Sequence, residues 1–399
     1  ELGVRDIPFL KALAKLQSMA KDVSTYYMVE DEKTGERKGM LSLVGDDGII
    51  HHSLNHCSTV TGRFSSNAPN LQNLPKGNKS DVKTLFVSRY PGGKIIQSDF
   101  SALEVYVQAV LTGSANLTQA LREGKDMHCL RLAFKEGMPY EEVYALCKGD
   151  KFDKEWDYKR TAAKIISFQA AYGAGAPKIA ASTGLPLADV ERFLAAEDEA
   201  NPEIRAYFDA LTLEIKKSRK PTGTAIPHPF VPGVMCNLGR GFSRTPDGCL
   251  YGYVESPSPE YLCKKGITAS FSPTQVRNYV VQGTGATVMK AAMWLLVRMF
   301  YETHNLGGKA VLINTIHDAA YVDCHPDVVD EAYCMLHECM AQATEFMRRL
   351  FKWDWSLDVP SDTSLGDSMA EEGHYQPNPE TQARVKAQVF SIIRKVTRT

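Results

Sequence analysis

Three separated stretches carry side chains suited to chemistry on phosphates: Ser-Asp-Phe-Ser at 98–101, a ladder of Arg160, Lys164, Phe168 and Tyr172 followed by Gly173, and Ile-His-Asp at 316–318. Asp99 ends an apolar run, and Asp318 lies between Ala-Val-Leu-Ile-Asn-Thr-Ile and Ala-Ala-Tyr-Val. Two carboxylates delivered from neighbouring strand ends can hold two Mg²⁺ ions about 3.5–4 Å apart, which stabilises the attacking and leaving oxygens of an in-line displacement together. Taken singly, each aspartate is more simply the polar residue of a surface turn. On a helix, each i+4 step drifts by only about 40°, so the four ladder residues share one face. Arginine forks onto phosphate oxygens, lysine adds a compact charge, and the two aromatics can pack against sugar and base. The alternative for this stretch is an amphipathic helix with a solvated basic end and a buried aromatic seam.

Two further segments offer polar contacts. Residues 61–75, Thr-Gly-Arg-Phe-Ser-Ser-Asn-Ala-Pro-Asn-Leu-Gln-Asn-Leu-Pro, concentrate short hydrogen-bonding side chains around Arg63, Asn70 and Gln72. Such a loop suits phosphates and groove edges of a duplex, or is a generic Asn/Pro turn. Asn278 and Gln282 stand four apart, with amides suited to minor-groove atoms or to each other's satisfaction inside the protein.

The elements that must position these groups can be read from periodicity. Residues 94–99 predict a short strand, with Ser101 as the cap of the helix that follows. Residues 310–323 predict two β-segments meeting at His-Asp. Residues 7–28 predict a helix followed by a charged hairpin, and 40–61 short β-segments. Residues 114–219 predict helices punctuated at Pro139, Gly149, Gly173, Gly184 and Pro202. The stretch 221–259 is dense in proline and glycine and reads as an irregular connection or small ribbons. Helices over 274–304 and 326–351, a final strand and a C-terminal helix complete the pattern.

Composition limits the function classes. The chain has 399 residues, 44% hydrophobic and 23% charged, enough for two or three subdomains around substantial cores. With 46 basic against 47 acidic residues, nucleic acid would have to be held in a local groove rather than by overall charge. The nine cysteines form no Cys-x-x-Cys pair or zinc-spaced cluster, which argues against a disulfide framework or structural zinc and for a reducing, intracellular compartment. No apolar run approaches the roughly 20 residues that span a bilayer, so a soluble protein away from membranes is expected.

The order of these blocks resembles the polymerase region of the family A (Pol I-like) DNA polymerases over about residues 8–374. The loop at 61–75 corresponds to Thr-Gly-Arg…Pro-Asn-Leu-Gln-Asn. Asp99, Ser101 and Glu104 match motif A, the ladder matches motif B, and His317-Asp318 match motif C. Gly-Lys-Asp-Met-His at 124–128 resembles the segment between motifs A and B. The resemblance implies an α+β right-hand fold with an antiparallel palm sheet. It implies a thumb base at 1–37, palm at 38–112 and 268–374, helical fingers at 113–267, and a C-terminal appendage at 375–399. It implies a monomer that extends a primer on template DNA with dNTPs, using two Mg²⁺ ions or Mn²⁺ as a substitute. Upstream exonuclease and thumb parts would lie outside this fragment, as would processivity partners.

By position, Asp99, Asp318 and the Phe100 carbonyl would hold the metals. Arg160, Lys164 and His128 would hold the triphosphate, with Lys164 protonating the departing pyrophosphate. Glu104, supported by Tyr172, would exclude a 2′-hydroxyl, and Phe168 would disfavour dideoxynucleotides. Arg63, Asn70, Gln72, Asn278, Gln282 and His317 would meet the primer–template. The chain departs from the family pattern at Ala319, where a glutamate is usual, and at Tyr106 and Thr274, where arginines are common. These departures are expected to leave the two aspartates carrying the metals, and they favour a phage or divergent member. Two other readings are a catalytically silent primer–template binder and a single-subunit RNA polymerase. The first predicts duplex binding without extension; Glu104 with Phe168 speaks against the second.

Overall fold

The computed structural model describes residues 7–75 and 80–397; the first six residues of the expected thumb base, residues 76–79 beyond the Arg63 loop and the last two residues lie outside the described residues. The chain forms two compact units, one of Glu1–Ser101, Val288–Leu350 and Val359–Thr399, the other of Ala102–Thr287 and Phe351–Asp358.

The first unit is built on a four-stranded antiparallel sheet in the order Ala310–Ile316, Ala319–Cys324, Lys94–Phe100, Ser361–Gly366. Side chains alternate across a pleated sheet, so each strand feeds two layers. On one face Ile95, Ile316, Ala319 and Tyr321 pack with Met40, Leu71, Leu74 and Val82 from the preceding loops. On the other face Ser98 and Thr363 share a hydrogen bond, and His337 and Tyr333 of the helix Val329–Ala341 bond to Thr363.

That helix is buried nearly all round, from Ala332 to Leu336 and again at Glu338, Cys339 and Met340, because it lies in the middle of a layered stack. The C-terminal helix Pro379–Val396 covers its outer side, burying Val385, Val389, Ile392 and Ile393. Arg384 pairs with Glu331 at 2.9 Å, and Gln382 donates to the buried Glu338 at 3.1 Å. The last helix is thus part of this unit's core. The single helix expected over 326–351 is two, Val329–Ala341 and Ala343–Phe351.

The second unit packs short helices around Leu132, Val143, Ala163, Ile166, Ile179, Val190 and Phe193. The breaks fall where proline and glycine predict: Pro139 precedes the helix Tyr140–Cys147, Gly184 closes Ala176–Thr183 at φ 74°, and Pro202 opens Pro202–Lys217. The Pro/Gly-dense stretch resolves as a three-stranded antiparallel sheet, Lys220–Pro227, Met235–Arg244 and Leu250–Val254. Its proline-bearing strand is an exposed edge, where a missing N–H costs least.

Two expectations are corrected. Ser101 does not cap the following helix: Leu103–Thr112 starts after Ala102, held at φ 50° with no side-chain cap, and the Ser101 N–H is bound to the Pro360 carbonyl. The helix Pro273–Glu302 does contain an 18-residue window apolar enough to cross a membrane, with mean hydropathy 1.3, but 72% of that window is buried inside the protein. It is a core helix, and interspersed Arg277, Asn278, Gln282 and Lys290 hide its length from a search for an unbroken apolar run.

Candidate active site

In the first unit, the two aspartates arrive on adjacent strands. Ala319 is the register partner of Asp99, and the Phe100 N–H donates to the Asp318 carbonyl at 3.1 Å, so Asp318 stands at the turn beside the end of the Asp99 strand. Asp99 is exposed and Asp318 half-buried. The Arg63 guanidinium comes within 3.9 Å of the Asp318 carboxylate. His317, exposed, makes the turn at φ 54°. Among the described residues no three His, Cys, Asp or Glu side chains gather as a closed metal cage. Two oxygen donors at a sheet end still fit Mg²⁺, which keeps several waters and takes only one or two carboxylates alongside substrate phosphates.

The Arg63 loop is ordered by its own polar groups. The Asn70 side chain caps the short turn Leu71–Asn73, and Ser66 Oγ bridges the Pro69 carbonyl and the Leu71 N–H. Asn70 itself is exposed. Gln72, expected to meet DNA, is instead only 8% exposed. Its Oε1 accepts from the His317 N–H at 3.0 Å, and its Nε2 donates to the Thr315 carbonyl. The backbone of the tight turn needs those partners, so the amide is turned inward.

In the second unit, the helix Lys154–Ala171 carries Arg160, Lys164 and Phe168, and Tyr172 is its C-cap. Lys164 and Phe168 are exposed, and Arg160 and Tyr172 half-buried. The Lys164 ammonium lies 6.0 Å from the Phe168 ring centroid. The Tyr172 hydroxyl donates to the Glu104 carboxylate at 2.6 Å. Gly173 sits at φ 78°, and a Cβ there would meet the backbone of Pro273 and Thr274 at 3.0–3.1 Å; both facts demand glycine.

Sequence reasoning missed the partner of Arg160. Asp126 caps the helix Met127–Glu136 by accepting the His128 and Cys129 N–H groups at 3.0 Å each, and it also takes Arg160 at 2.6 Å and Lys148 at 3.0 Å. Burial works against the charged carboxylate, but these donors outweigh it and hold Asp126 well below the usual range. The visible signal was an acidic residue directly before a helix, at the centre of Gly-Lys-Asp-Met-His.

Burial, then the nearby Arg131, bring the His128 imidazole down to about 4, so at neutral pH it is uncharged. Its ring lies 5.9 Å from Phe168. Glu104, His128, Ser167, Phe168, Tyr172 and Asn278 line one cleft. His128 Nδ1 and Ser167 Oγ are buried there without a protein partner, and both suit a sugar hydroxyl or a bridging water. Asn278 and Gln282 are half-buried on one face of Pro273–Glu302.

A sequence model described as DNA polymerase family A matches residues 5–369. The chain belongs to this family. The family A chain is 28% identical to the thermostable DNA polymerase I of Thermus filiformis over 325 residues, covering 80% of this chain and 32% of the relative. It is 26% identical to DNA polymerase I of Pseudomonas aeruginosa over 382 residues, covering 94% of this chain and 34% of that protein. It therefore spans about a third of the length of these curated relatives. Its fold matches the POL domain of Pol1 from M. smegmatis, solved with DNA primer-template and dNTP, at a TM-score of 0.63 and 20% identity, over 84% of this chain and 50% of the other. The α+β polymerase fold is shared.

Proposed function

We propose that this chain is the polymerase part of a family A DNA polymerase, adding dNTPs to a primer 3′ end on a DNA template and releasing pyrophosphate. The observation that carries this reading is the register of the sheet, which sets Asp318 beside the end of the Asp99 strand in a chain that matches the family over residues 5–369. Asp99 and Asp318, with the Phe100 carbonyl, would hold the divalent cations. When bound, these cations supply charge neutralisation at the attacking and leaving oxygens.

The remaining work falls to the chain's own side chains. Arg160 and Lys164 grip the triphosphate, with Asp126 keeping Arg160 oriented until phosphate oxygens compete for it. Lys164 donates a proton to the departing pyrophosphate. Neutral His128 offers one N–H rather than a charge. The Tyr172 hydroxyl fixes the Glu104 carboxylate, which leaves a 2′-hydroxyl in that cleft facing a negative, space-filling group. Arg63, Asn70, His317, Asn278 and Gln282 contact the primer–template.

The test is extension of one primed template with dNTPs or rNTPs, with Mg²⁺ or Mn²⁺. Incorporation of dNTPs that depends on the cation is expected. Duplex binding without extension would indicate a silent binder, and a preference for rNTPs an RNA polymerase.

A further inference from the structure

We propose that Gln72 is a positioning residue whose amide holds the His317–Asp318 turn and so sets the direction of the Asp318 carboxylate. The connection between Ala310–Ile316 and Ala319–Cys324 is only two residues long, and its first residue, His317, takes φ 54°. Positive φ is uncommon for a residue with a Cβ, and short hairpins usually place glycine, asparagine or aspartate there. Such a turn persists when its surroundings over-determine it.

Gln72 supplies that restraint from far along the chain. One amide takes the two backbone groups that flank Ile316: Oε1 accepts the His317 N–H at 3.0 Å, and Nε2 donates to the Thr315 carbonyl. Gln72 is buried, and the residues around it are anchored. Leu71 and Leu74 pack with Ile316 and Ala319, and Asn70 caps the turn that presents the side chain. The same loop brings Arg63 to within 3.9 Å of Asp318, so it meets the turn at both its backbone and its carboxylate. Partners one step behind a ligand fix its orientation and thereby its affinity for the ion.

This inference rests on the reading that Asp318 holds a divalent cation. Gln72→Met keeps the side chain's length and removes both hydrogen bonds. With primer–template bound, Mn²⁺ would be titrated by the loss of its free paramagnetic signal, alongside the Mn²⁺ dependence of single-turnover extension and the DNA affinity. The expected result is Mn²⁺ affinity weakened by about 10-fold, a matching rise in the Mn²⁺ needed for half-maximal rate, and unchanged DNA affinity. Unchanged Mn²⁺ affinity would overturn the proposal. So would lost DNA affinity with Mn²⁺ binding intact, which would make Gln72 a DNA contact.

If Gln72→Met does not fold, Gln72→Asn, one methylene too short to reach both backbone groups, must shift Mn²⁺ affinity in the same direction. Asp318→Asn separates the two failures: if it binds Mn²⁺ like the wild type, the metal reading falls, whatever Gln72 does.

Discussion

The strand Ala319–Cys324 has an aspartate near each end, and the two live in opposite surroundings. Asp323 is buried at 2% exposure and takes the Ser88 hydroxyl, the Arg89 N–H at 3.1 Å and the Arg89 guanidinium at 3.0 Å. Asp318 keeps about a quarter of its side chain open and lies 3.9 Å from Arg63, beyond hydrogen-bonding range. A carboxylate buried among charged and backbone donors is a structural tie; one a quarter exposed at the end of the sheet, beside the strand end of a second aspartate, is within reach of a cation from solvent. On the proposed reading, one strand carries an anchor at one end and a metal ligand at the other.

Exchanging each for asparagine would break the comparison if the roles were alike. Asp318→Asn should cut single-turnover primer extension by about 1000-fold, roughly 4 kcal/mol of barrier, with the thermal midpoint preserved. Asp323→Asn should do the reverse, lowering unfolding free energy by about 2–3 kcal/mol through lost charged hydrogen bonds, with extension near wild type at temperatures where it stays folded. Equal melting losses in both variants would erase the distinction.

The second unit offers a graded version of this comparison: the Glu104 carboxylate takes the Tyr172 hydroxyl, and Asp126 takes four donors. Glu104→Ala should raise ribonucleotide use relative to dNTPs by about 10-fold to 100-fold. Tyr172→Phe, which removes only the hydroxyl, should raise it a few-fold, corresponding to about 1 kcal/mol. Steady-state incorporation of both nucleotide types checks this, and an unchanged ratio in Glu104→Ala would remove the gate.

A smaller effect comes from His128. Its folded value, about 4, lies below its ordinary 6.5, so between those values the unfolded chain binds the extra proton and the folded state loses ground as pH falls. Urea unfolding of His128→Gln should therefore show a shallower decline than wild type from pH 6.5 to 4. A parallel decline would mean the imidazole is not held neutral.

Much of this arrangement was legible in the chain. The runs leading to Asp99 and Asp318 are true strands, Lys94–Phe100 and Ala310–Ile316, because side chains of both parities face packed layers. Arg160, Lys164 and Phe168 lie on one helix with Tyr172 as its C-cap, and i+4 spacing puts them along one face. What stayed hidden depends on partners distant in sequence. Nothing local to Gln72 tells that its amide will meet Thr315 and His317, and nothing local to Asp126 names Arg160. Val385, Val389, Ile392 and Ile393 announce an amphipathic helix but not that it completes the layer over Val329–Ala341. The edge sheet near 220–254 was obscured because proline and glycine signal loops and exposed edge strands alike.

On the proposed mechanism, Asp99 and Asp318 hold the divalent cations together. The most direct measurement is Mn²⁺ titration, by loss of the free paramagnetic signal, of the wild-type complex with primer–template and of Asp99→Asn, Asp318→Asn and the double variant. Each single change is expected to weaken binding by at least about 10-fold, and the double variant to be little worse than either single, since the two side chains serve one centre. Wild-type Mn²⁺ affinity in either single variant would contradict it.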